Sequence, residues 1–205
     1  MRHRFFDLAF TPAVQAEQSR RGSRRGYAKA ATTGAGTDTL TADEIDFIAA
    51  RDSFYLATVS ESGWPYVQHG GGPPGFVRRV DDKTIGWSEF TGNRQYVSAG
   101  NAAANDRVAM IFMDYPHRTR LKLLGRLHAY EPADRPDLVA VLAMGDRESK
   151  VERLMTVAVE ASDWNCPQHI TPRFTLVEIE RETAPLRARI AELEARLSVP
   201  KVSAA

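Results

Sequence analysis

The stretch "SFYLATVSESGWPYVQH", residues 53–69, decides the fold. Phe54, Leu56 and Thr58 alternate with Tyr55, Ala57 and Val59, the period of a half-buried strand. "ESG" is a turn and "WPYVQH" a second extended run, so the two read as an antiparallel hairpin. The backbone then becomes bare in "GGGPPGF", residues 70–76, beside the polar Gln68 and His69. Glycines of this kind admit a planar ligand or another chain at close range. A bulge that ends strand pairing, with prolines guarding an edge, explains the same residues.

Upstream, "TADEIDFIAARD" opens a helix with Thr41 as N-cap and Glu44 three residues on, a capping box. Ile45, Ile48 and Ala49 line one face of it. Downstream, "GFVRRV" and "KTIGWSEF" are short extended runs across a "DDK" turn. "GNRQYVSAGNAAAND" is helical from Arg94 to Ala104, and "RVAMIFMDY" and "RTRLKLLGRLHAY" are strands. In the latter Leu121, Leu123 and, past Gly125, Leu127 face one way, with Arg120, Lys122 and Leu124 opposite. "PADRPDLVAVLAMG" is a helix with Asp134 near its start and Gly145 at its stop, and a strand follows around Met155–Glu160. Thr175 and Glu178 form a second capping box. A helix then starts at Pro185, and Leu186, Ile190, Leu193 and Leu197 make its stripe at spacings 4, 3 and 4. That stripe suits a second subunit or core packing within one.

Few connections are long enough for parallel crossovers, so the expected class is mainly β with α decorations, a small antiparallel barrel. The expected division is a basic arm at 1–40, the barrel at 41–180, and an amphipathic helix and tail at 181–205. The arm, "QSRRGSRRGYAKAATTGAGTDT" included, has loop composition. Residues 1–39 carry seven Arg or Lys against three acids, yet the whole chain is only +1. No global field therefore recruits nucleic acid or an anionic membrane. No apolar run approaches the ~20 residues of a membrane span, and the basic stretch "MRHRFFDLAFTPAV" lacks the long apolar segment expected of a secretory signal. One cysteine, Cys166, rules out an intrachain disulfide. The setting these features imply is the cytoplasm.

The sequence has no G-x-S-x-G, Walker A or H-E-x-x-H motif, and its five histidines lack metal-ligand spacing, so no metal is expected. Cys166 with His169 three residues on is either a nucleophile pair or a packed small side chain. Asn93, Arg94 and Gln95 at a helix start suit an anion, or are an ordinary helix N-terminus. Arg118, Arg120 and Lys122 at alternate strand positions need a phosphate or acidic side chains opposite, or face water.

Taken in order, "LATVS", "ESGWP", "GNRQ" opening a helix, "NDRVAMIFMD" and "RTRLKLLGR" resemble the pyridoxamine 5'-phosphate oxidase-like, FMN-binding split-barrel family, over about residues 41–165. More narrowly the chain is similar to a flavin-binding branch carrying "P-Y-V-Q-H-x-G-G-P-P-G-F", "G-N-R-Q-Y" and "D-W-N-C-P-Q". The resemblance implies a six-stranded antiparallel split β-barrel and a homodimer with FMN, ahead of FAD or a deazaflavin, at the subunit interface. It assigns Val67, Gln68, His69 and Gly70 to the flavin, with Gln68 in the place of the family's Arg. It assigns Asn93, Arg94 and Gln95 to the phosphate, keeping the Arg of the family's "S-R-K" and losing its Lys. Arg118, Arg120 or Lys122 would restore that charge. Trp164, with Asn165 and Gln168, would lie near the ring. The C-terminal arginine motif of the true oxidases is missing from "FTLVEIERETAPL", which argues against pyridoxamine phosphate as substrate.

The function implied is an FMN-dependent oxidoreductase acting on a small molecule, with no residue marked as an obligatory acid or base. A non-catalytic flavin, haem or nucleotide module is the alternative, with His69 or His169 as haem ligands. A nucleic-acid role for the basic arm is a third reading, disfavoured by the near-neutral charge.

Overall fold

The computed structural model describes residues 4–33, 39–143, 151–164 and 167–198. Gly145, Asn165 and Cys166 lie outside them. The elements run α1 (Arg4–Ala9), α2 (Pro12–Arg20), α3 (Arg24–Thr33), α4 (Ala42–Ala49), β1 (Ser53–Val59), β2 (Pro65–Gly71), β3 (Arg78–Arg79), β4 (Thr84–Phe90), α5 (Val97–Ala104), β5 (Arg107–Asp114) and β6 (Thr119–Tyr130). A short 3-10 turn then leads to α6 (Pro136–Leu142), β7 (Val151–Trp164) and α7 (Leu176–Ser198).

The expected hairpin is present, with Ser53 opposite Gly71 and Val59 opposite Pro65. All strands pair antiparallel in one sheet of order β2-β1-β5-β6-β7-β4-β3. Six strands were expected, and the described residues form seven; β3 is only two residues long. Although the sheet is open, it curls. Phe54 of β1 and Trp87 of β4 are far apart in strand order, yet their rings lie 4.8 Å apart. Phe76 and Phe112 each lie 5.7 Å from Phe54, completing a buried aromatic cluster inside the curl. A bulge between Leu124 and Gly125 bends β6 against β7. A Cβ at Gly125 would stand 2.5 Å from the Ala158 carbonyl oxygen, so only glycine fits there.

Both capping boxes form. Glu44 accepts from the Thr41 amide at 2.9 Å, and Glu178 from the Thr175 amide at 2.7 Å. Three helix boundaries differ from expectation. Residues 4–33 are not loop but three helices. Thr11 caps α2 with Pro12 in its first turn, and Phe6 stacks on Phe10 at 4.6 Å with Tyr27 edge-on to both. Those aromatic contacts supply the burial that an arm of this composition lacks locally. The helix placed from Arg94 starts instead at Val97, because Arg94 and Tyr96 have φ of 60° and 54°, incompatible with a helical turn. The C-terminal helix starts at Leu176 and runs through Pro185.

At the end of β5, Asp114 pairs with Arg51 at 2.7 Å and accepts from the His117 amide at 3.0 Å and its ring at 2.9 Å. Burial pushes this carboxyl up, but the His117 amide and ring and the Arg51 charge outweigh it and hold the group below its ordinary value. A depressed carboxylate contributes stability that is present above its unfolded pKa, ~3.9, and is lost as pH falls through the folded value. Asp114→Asn is therefore expected to cost about 1.5–3 kcal/mol at neutral pH, with the gap to the unmodified protein closing in acid. Urea unfolding at pH 7 and near pH 3 reads this; a pH-independent gap would refute it.

Candidate functional site

The end of β2, the loop before α5, the end of β4 and the start of β7 enclose a cleft of about 480 Å³. It gathers Gln68, His69, Gly70, Asn93, Arg94 and Gln95 from segments distant in sequence. Trp87 and Met155, both buried core residues, line it as well.

One wall is built by β2. Its Gln68 side-chain Oε1 accepts from the Ser98 hydroxyl at 2.7 Å, and Asn101 Nδ2 of α5 donates to the Thr58 hydroxyl at 2.9 Å. These bonds seat α5 on the hairpin. The glycines of this wall have a reason internal to the protein. A Cβ at Gly70 would stand 2.5 Å from the Phe54 ring, and one at Gly72 would stand 2.6 Å from the Phe76 ring. The bare backbone thus makes room first for the protein's own aromatics.

The other wall is a polar loop. Asn93 does not cap a helix; its Oδ1 accepts from the Gln95 amide at 3.1 Å. Arg94 and Tyr96 hold left-handed φ values, a backbone cost of about 1–3 kcal/mol each that is typical of ligand sites. Arg94 Nε donates to the Tyr96 hydroxyl at 3.2 Å, which donates to Glu152 at 2.5 Å. That hydrogen bond, with the nearby Glu152 carboxylate, raises the exposed guanidinium's pKa above its ordinary value. Arg153 lies 4.4 Å over the Tyr96 ring and pairs with Glu89 at 2.5 Å. Its Nε is buried without a partner among the described residues. Glu89, Glu152 and Arg153 carried no signal in the sequence, since β4 and β7 meet only in three dimensions; Tyr96 stood in the "G-N-R-Q-Y" motif but was given no role.

The remaining expected residues lie elsewhere. Val67 is on the opposite face of β2 from Gln68, exposed together with Tyr55 and Ile111 of the neighbouring strands. Arg118 is not on a strand face but in the turn before β6, at φ 54°. Arg120 is partly buried, with its Nε lacking a partner among the described residues. Lys122 pairs with Asp163 at 2.7 Å and lies 4.7 Å over the Phe5 ring of α1. Trp164 donates to Glu44 at 2.8 Å and meets Phe47 edge-on at 4.8 Å. Gln168 is exposed in a turn.

The family model for pyridoxamine 5'-phosphate oxidase matches residues 41–163, more than half of the chain. The chain belongs to the pyridoxamine 5'-phosphate oxidase family. Family membership covers the curled sheet and both walls of the cleft, and leaves α1 to α3 and α7 outside the match. Solved structures resemble the chain more loosely. A candidate pyridoxamine 5'-phosphate oxidase from Lactobacillus delbrueckii is 22% identical, with 62% of this chain and 95% of that one covered and a TM-score of 0.48. A Clostridium acetobutylicum protein related to general stress protein 26 is 15% identical over 67% and 94%, with a TM-score of 0.45. An FMN-binding relative of pyridoxamine 5'-phosphate oxidase from Nostoc punctiforme is 12% identical over 55% and 73%, with a TM-score of 0.42. No curated protein matches the sequence.

Proposed function

We propose that this chain binds FMN in the cleft and acts as an oxidoreductase on a small molecule, with the site completed by a second copy of the chain. The observation that carries the reading is the convergence of Gln68, His69 and Gly70 with Asn93, Arg94 and Gln95 on one cavity. Its volume lies within the range of small-ligand and cofactor sites. The residues fit a flavin phosphate. Arg94 spends one of its five N–H donors on Tyr96, and a guanidinium fork suits phosphate oxygens. The orphaned Nε of Arg153 is a buried donor on the same cleft, beside that loop. Gln68 would meet the polar edge of the ring, while the His69 side chain stands on the other face of β2 beside Tyr55, at the rim of the cleft. FMN supplies the hydride or electron transfer when bound; the chain binds it, orients it and keeps water away with Phe54, Trp87 and Met155.

The exposed apolar row Tyr55, Val67 and Ile111 supports a homodimer through the outer face of the hairpin. His69 adjoins that row, edge-on to Tyr55 at 5.5 Å, so a partner seated there would reach the cleft. Arg118, Arg120, Trp164 and Gln168 would then approach a flavin only from the second subunit.

The test is a visible spectrum of the purified protein, then heat release and chromatography of the chromophore. Released FMN is expected. A colourless protein that takes up no added FMN sinks the reading, and a haem spectrum replaces it with one centred on His69 or His169.

A further inference from the structure

Helix α7 is 23 residues long, and none of its side chains is buried. Leu176, Ile179, Leu186, Ile190, Leu193 and Leu197 are between 41% and 86% exposed. A helix that buries nothing has little to stabilise it, and this one also contains Pro185. Its apolar residues are not scattered. With Leu176 as position a of a heptad, the a positions are Leu176, Thr183, Ile190 and Leu197 and the d positions are Ile179, Leu186 and Leu193. The register holds without a break over the whole helix. Pro185 falls at c, so its ring stays out of the seam, while its missing N–H costs the helix one backbone hydrogen bond.

We propose that α7 pairs with α7 of a second copy as a parallel two-stranded coiled coil. The flanking charges name this occupant. In a parallel pair, g of one helix faces e of the next heptad on the other. Glu182 then meets the partner's Arg187, and Arg189 meets the partner's Glu194, so both flanking pairs attract. An antiparallel pair that keeps Leu197 in its seam sets Arg187 against the partner's Arg187 and Glu180 against the partner's Glu194. Ile190 at a between Leu186 and Leu193 at d is the combination that favours two strands. A lipid surface fits less well: five glutamates oppose four arginines along the helix, where an interfacial helix is rich in cations. Among the described residues no helix is long and apolar enough to cross a membrane. The ion pairs now seen, Arg187 with Glu180 at 2.8 Å and Arg189 with Glu192 at 2.5 Å, are exposed and can give way to or share the pairs between helices.

This contact rests on α7 alone, and is separate from the hairpin face and from flavin binding. The experiment uses the full chain with Cys166→Ser, carrying either Leu193→Cys at a seam position or Ala195→Cys at the outward f position. In a parallel pair the two d-position residues face each other at disulfide range. Under mild oxidation Leu193→Cys is expected to become a covalent dimer on a non-reducing gel, while Ala195→Cys stays a single chain. Adding Arg189→Glu is expected to slow that cross-link, and adding Glu194→Arg with it to restore it. Equal cross-linking at both sites, or none at Leu193→Cys, overturns the proposal. A dimer by light scattering that fails to cross-link at Leu193→Cys overturns the helix pair while leaving the hairpin-face dimer and the flavin standing.

Discussion

Phe54→Ala is expected to lower the stability of the flavin-free protein by about 3–5 kcal/mol, enough to unfold an ordinary domain of this size. The ring is 3% exposed and touches Phe76, Trp87 and Phe112, so it ties β1 to β4 across the inside of the curled sheet. Its removal leaves a cavity that those large rings cannot close by small shifts. Gly70→Ala tests the same feature from outside. The new methyl lands 2.5 Å from the ring, an overpacking expected to cost about 1–3 kcal/mol. With Phe54→Ala already present, that methyl points into the cavity and loses its clash. The double variant should therefore be less damaged than the sum, by about 0.5–3 kcal/mol of coupling. Denaturant unfolding without flavin decides it. Additive losses would mean that the glycine is needed for something other than the ring.

Arg94→Ala is expected to weaken FMN binding about tenfold or more, a loss of about 1.4 kcal/mol or greater. The side chain is exposed, so the fold does not depend on it, and its guanidinium is the least engaged cation on the cleft. Two controls isolate the charge. Riboflavin lacks the phosphate, so its affinity should not change. Arg94→Gly removes the same charge while relieving the left-handed backbone, and should lose FMN as Arg94→Ala does. Fluorescence titration with both flavins is the measurement. If the two ligands weaken in step, Arg94 shapes the loop and does not hold the phosphate.

The parts legible in the sequence are those set by local rules. Alternation gave β1 its buried Phe54, Leu56 and Thr58, and gave β6 its Leu121, Leu123 and Leu127 on either side of Gly125. Two Thr–Glu spacings marked real helix starts. What could not be read depends on partners far along the chain. Phe6 and Phe10 order the arm through Tyr27, about twenty residues on, so its basic, glycine-containing composition misled. The glycine run is explained by ring positions that no spacing rule contains. Trp164 was assigned beside a flavin, but within one chain its indole is held by Glu44 and Phe47, from a segment more than a hundred residues earlier. The Asn93–Gln95 segment lies on the cleft, but the left-handed backbone of Arg94 and Tyr96 was invisible beneath a helix-like composition.

The place of β7 in the strand order has a consequence for how the molecule is made. It lies between β6 and β4, and is synthesised after every other described strand. Until it is complete the sheet exists as two unjoined pieces, β2-β1-β5-β6 and β4-β3, and α1 has no strand to rest on. At ribosomal rates, roughly 8–30 s separate the emergence of α1 from that of Trp164. Throughout that interval the nascent chain holds an aromatic arm and a half-built barrel exposed. The architecture thus delays closure of the sheet until β7 has emerged.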